Sequence, residues 1–448
     1  RCWSRRDFVP QLNCAPLGIK GDTMAPRGLG FRDYETAVIA ATSTPFCAAL
    51  FTGGAAEIFR SHLRGATFDT IQASLCEQFP NSKNDITADI SDVASFFGPQ
   101  SEDELSNVPS SAAPVGSMSA IKKYARDHGL LTHGTLEINT KCNLRCEHCF
   151  HANFTSQGLR FDSITALLTD LRASGVLFLC LTGGELFLRK DALSIIDVAN
   201  DLGFIIELKT NGTVLTDAHI TKLRDMRISD IQVSVYGLED GYSEFTKSDY
   251  MFSTVARNIQ TLTQAKIPCS IAYQLTPSNL SSLERAYDIL SGLTDNFYFS
   301  YYVSPNLGVP TKNFGSRLSF EALKHQVLPK LQSWGMVTEP VRYRYKDCGY
   351  VCWAGHEHVF IGSDGTVYPC ADLRVPIGNL LTESFLDIVN GRFAALSKFM
   401  PTAIPACTDC ACHDYCDSCI GIAQLEHGTF LRPSSHKCDL SKLQFERG

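Results

Sequence analysis

"KCNLRCEHCF", residues 141–150, sets three cysteines within eight positions, with three and then two residues between them. Structural metal sites made of cysteine close on four ligands, and disulfides use cysteines in pairs, so a set of three leaves one position of a metal centre open. The stretch follows directly on an apolar run, GTLEINT (134–140). Five more such runs come at 175–182 (GVLFLCLT), 204–210 (FIIELKT), 230–236 (DIQVSVY), 268–275 (PCSIAYQL) and 297–303 (FYFSYYV). Runs of this kind fit parallel strands buried on both faces. Amphipathic helical stretches lie between them. In SITALLTDLRAS, Ile164, Leu167, Leu168 and Leu171 recur at i, i+3, i+4 and i+7, and Phe252, Val255, Ile259 and Leu262 share a face in FSTVARNIQTLTQ.

Six βα units in succession predict an α/β fold, a partial or open TIM-like (β/α)6 barrel with right-handed crossovers, over residues 131–330. Chemistry in such barrels gathers at the C-terminal ends of the strands. The cysteine triplet follows the first strand, "TGGE" the second and "TNG" the third, while Ser234 lies near the end of the fourth. All four belong to one rim.

Outside the barrel the pattern changes. Residues 98–119, GPQSEDELSNVPSSAAPVGSMS, are rich in Pro, Ser, Gly and acid and read as part of a linker spanning 98–130. Before it, TAVIAATSTPFCAALF reads as short strands and GGAAEIFRSHLRG as a helix stopped at Gly65. Two further helices follow, one with Phe68, Ile71, Leu75 and Phe79 on a face, the other with Ile86, Ile90, Val93 and Phe97. Strands followed by three short helices predict a winged-helix-like α+β module over 25–97, after a tail at 1–24. A bridging segment (331–345) and a cysteine-rich domain (346–448) complete the chain.

Composition narrows the function. A net charge of −7 argues against broad nucleic-acid binding, which needs a basic face. No apolar run approaches membrane-span length, and the opening RCWSRRDFVP lacks a signal-peptide core, so the expectation is a cytoplasmic protein away from the membrane. With no initiator Met, its start is expected to be truncated. Of 18 cysteines, three form the triplet and nine fall between Cys348 and Cys438. Such clustering in a long chain without an export signal favours metal over disulfides.

The spacing C-x3-C-x2-C, the aromatic Phe150 after it, and its place behind strand 1 of a βα barrel resemble the radical SAM superfamily. A zinc knuckle completed by His148 or His151 is the other reading of the bare spacing. The resemblance implies that Cys142, Cys146 and Cys149 hold a 4Fe–4S cluster whose open iron chelates S-adenosylmethionine (SAM). It implies SAM cleavage to a 5′-deoxyadenosyl radical that removes hydrogen from a substrate. It also implies cofactor contacts from Phe150, from Thr182, Gly183, Gly184 and Glu185 (the last toward SAM's ammonium), from Asn211 and from Ser234. Tyr236 stands where many relatives carry an acid, and Lys247 where many carry Arg.

The tail pattern resembles the SPASM domain. It contains DCGYVCWAGHEHVFIGSDGTVYPCADL, with a tight-turn signal at Asp364-Gly365, then C-x2-C-x5-C-x2-C and a final Cys438. The likeness implies two auxiliary 4Fe–4S clusters, one on Cys348, Cys352, Cys370 and Cys419, the other on Cys407, Cys410, Cys416 and Cys438, with Cys412 spare. Two structural zinc sites are the alternative. The N-terminal module resembles the leader-peptide recognition element of peptide-modifying enzymes, which binds an extended leader at a sheet edge. Together these imply a radical SAM maturase of a ribosomally made precursor peptide, an oxidoreductase that installs a thioether or carbon–carbon crosslink and is served by a donor such as flavodoxin or ferredoxin. The alternatives are a sulfatase-maturase-like enzyme and a zinc-stabilised peptide-binding protein. No residue is identified in the sequence as a catalytic acid or base.

Overall fold

The computed structural model describes residues 29–34, 37–43, 46–97, 118–337, 354–393, 404–407, 409–416 and 419–447. Cys348 and Cys352 lie outside the described residues, as does the tail.

The core is a nine-stranded sheet. Strands β4 (His133–Glu137), β5 (Phe178–Thr182), β6 (Ile205–Thr210), β7 (Ile228–Val235), β8 (Cys269–Gln274) and β9 (Phe297–Ser300) run parallel in sequence order. Helices α5 (Phe161–Ala173), α6 (Ala192–Asp201), α7 (Asp217–Leu223), α8 (Glu239–Thr246), α9 (Phe252–Gln264) and α10 (Leu283–Ser291) connect them. The apolar stripes face the sheet: Ile164, Leu167, Leu168 and Leu171 of α5 and Val255, Ile259 and Leu262 of α9 are buried in one continuous core. Burial of such faces, at ~25 cal/mol per Å2 of apolar surface, drives the layering.

The sheet does not stop at β4. The expected hairpin forms as β10 (His358–Ile361) and β11 (Thr366–Tyr368), with Gly365 at φ +81° in its turn. β10 pairs in parallel with β4, placing Ile361 against Leu136, and β12 (Gly378–Asn379) closes this edge. The cysteine-rich domain thus extends the barrel sheet.

The N-terminal module is an antiparallel sheet, β1 (Gly30–Tyr34), β2 (Ala37–Ser43) and β3 (Phe46–Thr52), followed by α1 (Gly53–Leu63), α2 (Phe68–Gln78) and α3 (Lys83–Phe97). Alternation along β2 explains its uniform apolarity. Val38 and Ala40 face the helices, whereas Ile39 and Ala41 pack with Leu177, Phe178 and Ile205 at the base of the barrel. Within the segment expected to be a linker, Met118–Asp127 forms helix α4, whose Ile121 joins that same interface. The bridging segment is described only to residue 337 and begins inside a helix, Leu328–Ser333.

Candidate active site

The chain leaves β4 into a loop that lays Cys142, Cys146 and Cys149 along one wall of a cavity of about 220 Å3, shared with Phe150, Thr182, Gly183, Gly184, Asn211 and Ser234. Three residues from elsewhere in the chain hold this loop by its backbone. The Asn306 amide donates to the carbonyls of Cys149 (3.1 Å) and His151 (2.9 Å), and that of Asn313 to His148 (2.8 Å). The Arg145 N–H donates to Thr246 at the end of α8 (2.8 Å). Phe150 stacks on His151 at 4.2 Å between centroids.

The two glycines after β5 are required by the loop beside them. A Cβ on Gly183 would stand 2.5 Å from the Asn139 carbonyl, and one on Gly184 would stand 2.4 Å from those of Thr140 and Lys141. Glu185 turns inward and is fully buried. Its Oε1 accepts from Phe187 N–H (3.0 Å) and the Thr210 hydroxyl (2.7 Å), and its Oε2 from Asn211 N–H (2.7 Å). The carboxylate therefore ties the turn after β5 to the end of β6. It does not line the cavity. Burial pushes its pKa upward, opposed by those three donors.

Asn211 faces the triplet: its Nδ2 donates to Asn143 Oδ1 (3.0 Å) and lies 3.8 Å from Cys142 Sγ. Its own Oδ1 accepts from Thr213 N–H (2.9 Å), fixing the amide. Ser234 and Tyr236 close the opposite side, where Tyr236 stacks against Phe245.

Burial pushes the thiols up, Cys142 to about 11, Cys146 well above its usual value and Cys149 in the same direction. They are protonated until a metal centre displaces those protons. The donor set fits a cluster. A cubane offers each of the three thiolates its own iron.

In the cysteine-rich domain, Cys438 lies within reach of the charges of Cys416, Cys407 and Cys410. Cys412 adjoins Cys410. Cys370 accepts from Asp372 N–H (3.4 Å), and Cys419 accepts from Ile422 N–H (3.5 Å) as N-cap of the helix Ile420–His427. A Cβ on Gly421 would meet the Asp372 carbonyl carbon at 2.6 Å, which shows how closely that helix start approaches the Cys370 segment.

Several polar residues escaped the sequence reading, which considered His151 only as a zinc ligand. Glu137 and His151, both buried, pair at 3.6 Å beneath the triplet. Lys209 lines the cavity and is held by Glu207 at 3.3 Å. Asp230 accepts from the Ser270 hydroxyl (2.5 Å), and Gln232 donates to Tyr298 Oη (3.0 Å). The strand alternation that brings these side chains to the lumen was the available signal.

Residues 136–290 match the radical SAM superfamily, and residues 352–419 match SPASM, an iron–sulfur cluster-binding domain. The AdoMet-dependent heme synthase of Methanosarcina barkeri is 24% identical over 323 residues, 66% of this chain and 93% of that protein. The sporulation killing factor maturation protein SkfB of Bacillus subtilis is 24% identical over 263 residues, 57% of this chain and 63% of that protein. Streptococcus suis SuiB, solved bound to its precursor peptide SuiA, shares the fold with a TM-score of 0.62 at 14% identity, over 92% of this chain and 99% of that one. Among the described residues no helix is long and apolar enough to cross a membrane. With the triplet, the glycine turn and the cysteine-rich extension on one sheet, the chain is an enzyme of the radical SAM superfamily with a SPASM domain, and it takes SAM and 4Fe–4S clusters.

Proposed function

We propose that this enzyme matures a ribosomally made precursor peptide, installing a thioether or carbon–carbon crosslink. One observation carries the reading: a three-stranded sheet, with β1 and β3 each paired on one side only among the described residues, is fastened to the base of the barrel. Arg172 of α5 donates to the Phe31 carbonyl (2.6 Å), Arg227 donates to that of Leu29 (3.1 Å), and Arg32 returns a bond to Ala173 (2.9 Å). A leader added at such an edge is held by main-chain hydrogen bonds, and tethering raises the concentration of the segment to be modified. The names of SkfB and SuiB point the same way.

The bound cluster and SAM supply a 5′-deoxyadenosyl radical that takes a hydrogen atom. In this chain the thiolates of Cys142, Cys146 and Cys149 hold the cluster, Thr182, Gly183, Gly184, Asn211 and Ser234 hold SAM, and Phe150 walls the cavity. Glu185 sets the shape of that cradle from behind. Cys348, Cys352, Cys370 and Cys419 hold one auxiliary cluster, and Cys407, Cys410, Cys416 and Cys438 the other. A flavodoxin or ferredoxin supplies electrons. The heme-synthase likeness favours a second reading, a tetrapyrrole substrate, which leaves the N-terminal module without a task.

The test is co-expression with candidate precursor peptides encoded beside the gene, followed by peptide mass. A loss of two hydrogens per crosslink, abolished by changing Cys142, Cys146 and Cys149 to Ala, is the expected result. Unmodified peptide, with iron-loaded enzyme that acts on a tetrapyrrole instead, would overturn it.

A further inference from the structure

Arg374 lies in the segment that runs from Cys370 to β12. Its guanidinium stands 4.2 Å from the ring centroid of Phe360 and 5.1 Å from that of Tyr368. Phe360 shares its strand face with His358, whose ring meets Thr135 Oγ1 at 3.0 Å. Thr135 in turn bonds Cys180, which feels the charges of Glu207 and Lys209. This is the lumen face of the sheet, so Arg374 stands over the lumen wall where the barrel passes into the SPASM domain. Its charge reaches His151 on the cofactor cavity and Cys370 and Asp372 on the other side.

Its donors are unspent. Nε and Nη2 are buried without a hydrogen-bond partner among the described residues. The neighbouring carboxylates are otherwise engaged. Asp372 accepts from the Ser304 hydroxyl (2.9 Å), while Glu137 accepts from Ser363 N–H (3.2 Å) and faces His151. The other lumen cation, Lys209, is matched by Glu207. A buried guanidinium costs free energy when its N–H groups find no acceptor, and its planar fork is shaped for a carboxylate.

We propose that Arg374 is a carboxylate receptor, which binds an Asp or Glu side chain of the peptide substrate close to the residue that is modified. The proposal rests on the peptide-maturase reading. The two rings hold the guanidinium in place, so that bidentate N–H···O bonds to a carboxylate form with less ordering of the side chain. A glutamine in the same place would accept one of those bonds and set its NH2 against the other donor.

The test uses cluster-loaded enzyme, with SAM, immobilised under anaerobic conditions. Two pools of blocked octapeptides, random except for a central Glu or a central Gln, are passed over it and the retained peptides counted by mass spectrometry. The Glu pool is expected to be enriched about tenfold or more over the Gln pool, the usual scale for a charge-assisted pair. Arg374→Gln should bring that ratio to about one and Arg374→Lys should keep part of it, with iron content and Tm unchanged for both. Retention of both pools without a Glu preference, or a preference that survives Arg374→Gln, overturns this proposal alone. A shift of an auxiliary-cluster potential in Arg374→Gln with the Glu preference intact assigns the residue to the cluster and overturns it too. Retention of neither pool by the unaltered enzyme overturns this proposal alone, because the octapeptides carry no leader; the peptide reading itself falls only with unmodified co-expressed precursor.

Discussion

Glu185→Gln separates a structural carboxylate from a ligand carboxylate. Glu185 is 0% exposed and accepts three hydrogen bonds from the chain, two at Oε1 and one at Oε2. Glutamine can place its oxygen where Oε1 stands and keep Phe187 N–H and the Thr210 hydroxyl. Its NH2 then faces Asn211 N–H across the present 2.7 Å, donor against donor. One charge-assisted bond is lost and two buried donors go unpaired, which together cost about 3 kcal/mol. For a barrel of this size that is a fall in Tm of roughly 6–12 °C. The relief of burying a neutral group recovers part of it, since burial already pushes this carboxyl's pKa upward. The assay is thermal unfolding of the protein beside SAM binding by equilibrium dialysis. Both should weaken, because the same bond positions Asn211 next to Cys142. An unchanged Tm with SAM binding abolished would refute the reasoning and return Glu185 to the cofactor's ammonium.

Gly184→Ala forces a Cβ to 2.4 Å from two backbone carbonyls and should abolish cluster incorporation, read as iron per chain; Gly241→Ala, with open space around it, should leave iron unchanged. Burial pushes the Asp230 carboxyl from 3.8 up to about 6, so the stability it contributes is present at low pH and is lost as pH rises from about 4 to about 6. Asp230→Asn should therefore raise stability more at pH 7 than at pH 5, by about 1 kcal/mol after allowing for its partial exposure, as measured by urea unfolding. Arg172→Met removes the bond to the Phe31 carbonyl and should speed hydrogen exchange of the β1 amides, while β5 and β6 stay protected.

The barrel was legible because parallel strands buried on both faces leave long apolar runs, and because the helical stripes of α5 and α9 repeat at the right spacing. Strand β1, GFRDY, was missed: it is an edge strand whose Arg32 and Asp33 hide the alternation. Helix α4 was missed because its few buried positions, Ile121 and Ala125, sit among Lys and Arg behind a Pro/Ser-rich stretch. In the site, the loop motifs were legible because they follow successive strands and so belong to one rim. Lys209, Asp230 and Arg374 were not, since a charge on a strand or a connecting loop looks solvated until the strand is known to line a lumen. The glycine pair was read as contacts to the cofactor, and the structure adds a second reason in the neighbouring backbone.

The pairing of β10 with β4 has a consequence for where a substrate can enter. The cysteine loop and the hairpin turn both depart from the end of this strand pair, and Ser363 N–H donating to Glu137 Oε2 at 3.2 Å locks the turn to the residue under the triplet. The two cluster-bearing regions therefore sit at a fixed offset, set by sheet register. Among the described residues the sheet ends at β9 and β12, on the other side of the lumen. That gap is spanned at its rim by Ser304 donating to Asp372 and by the buried Arg317–Glu426 pair at 2.8 Å. A pair with side chains only 10% and 2% exposed is costly to break singly, so this strut is a fixed part of the entrance. If the substrate is the extended peptide proposed above, Lys209 and Tyr298 flank it on the barrel side and Arg374 on the other.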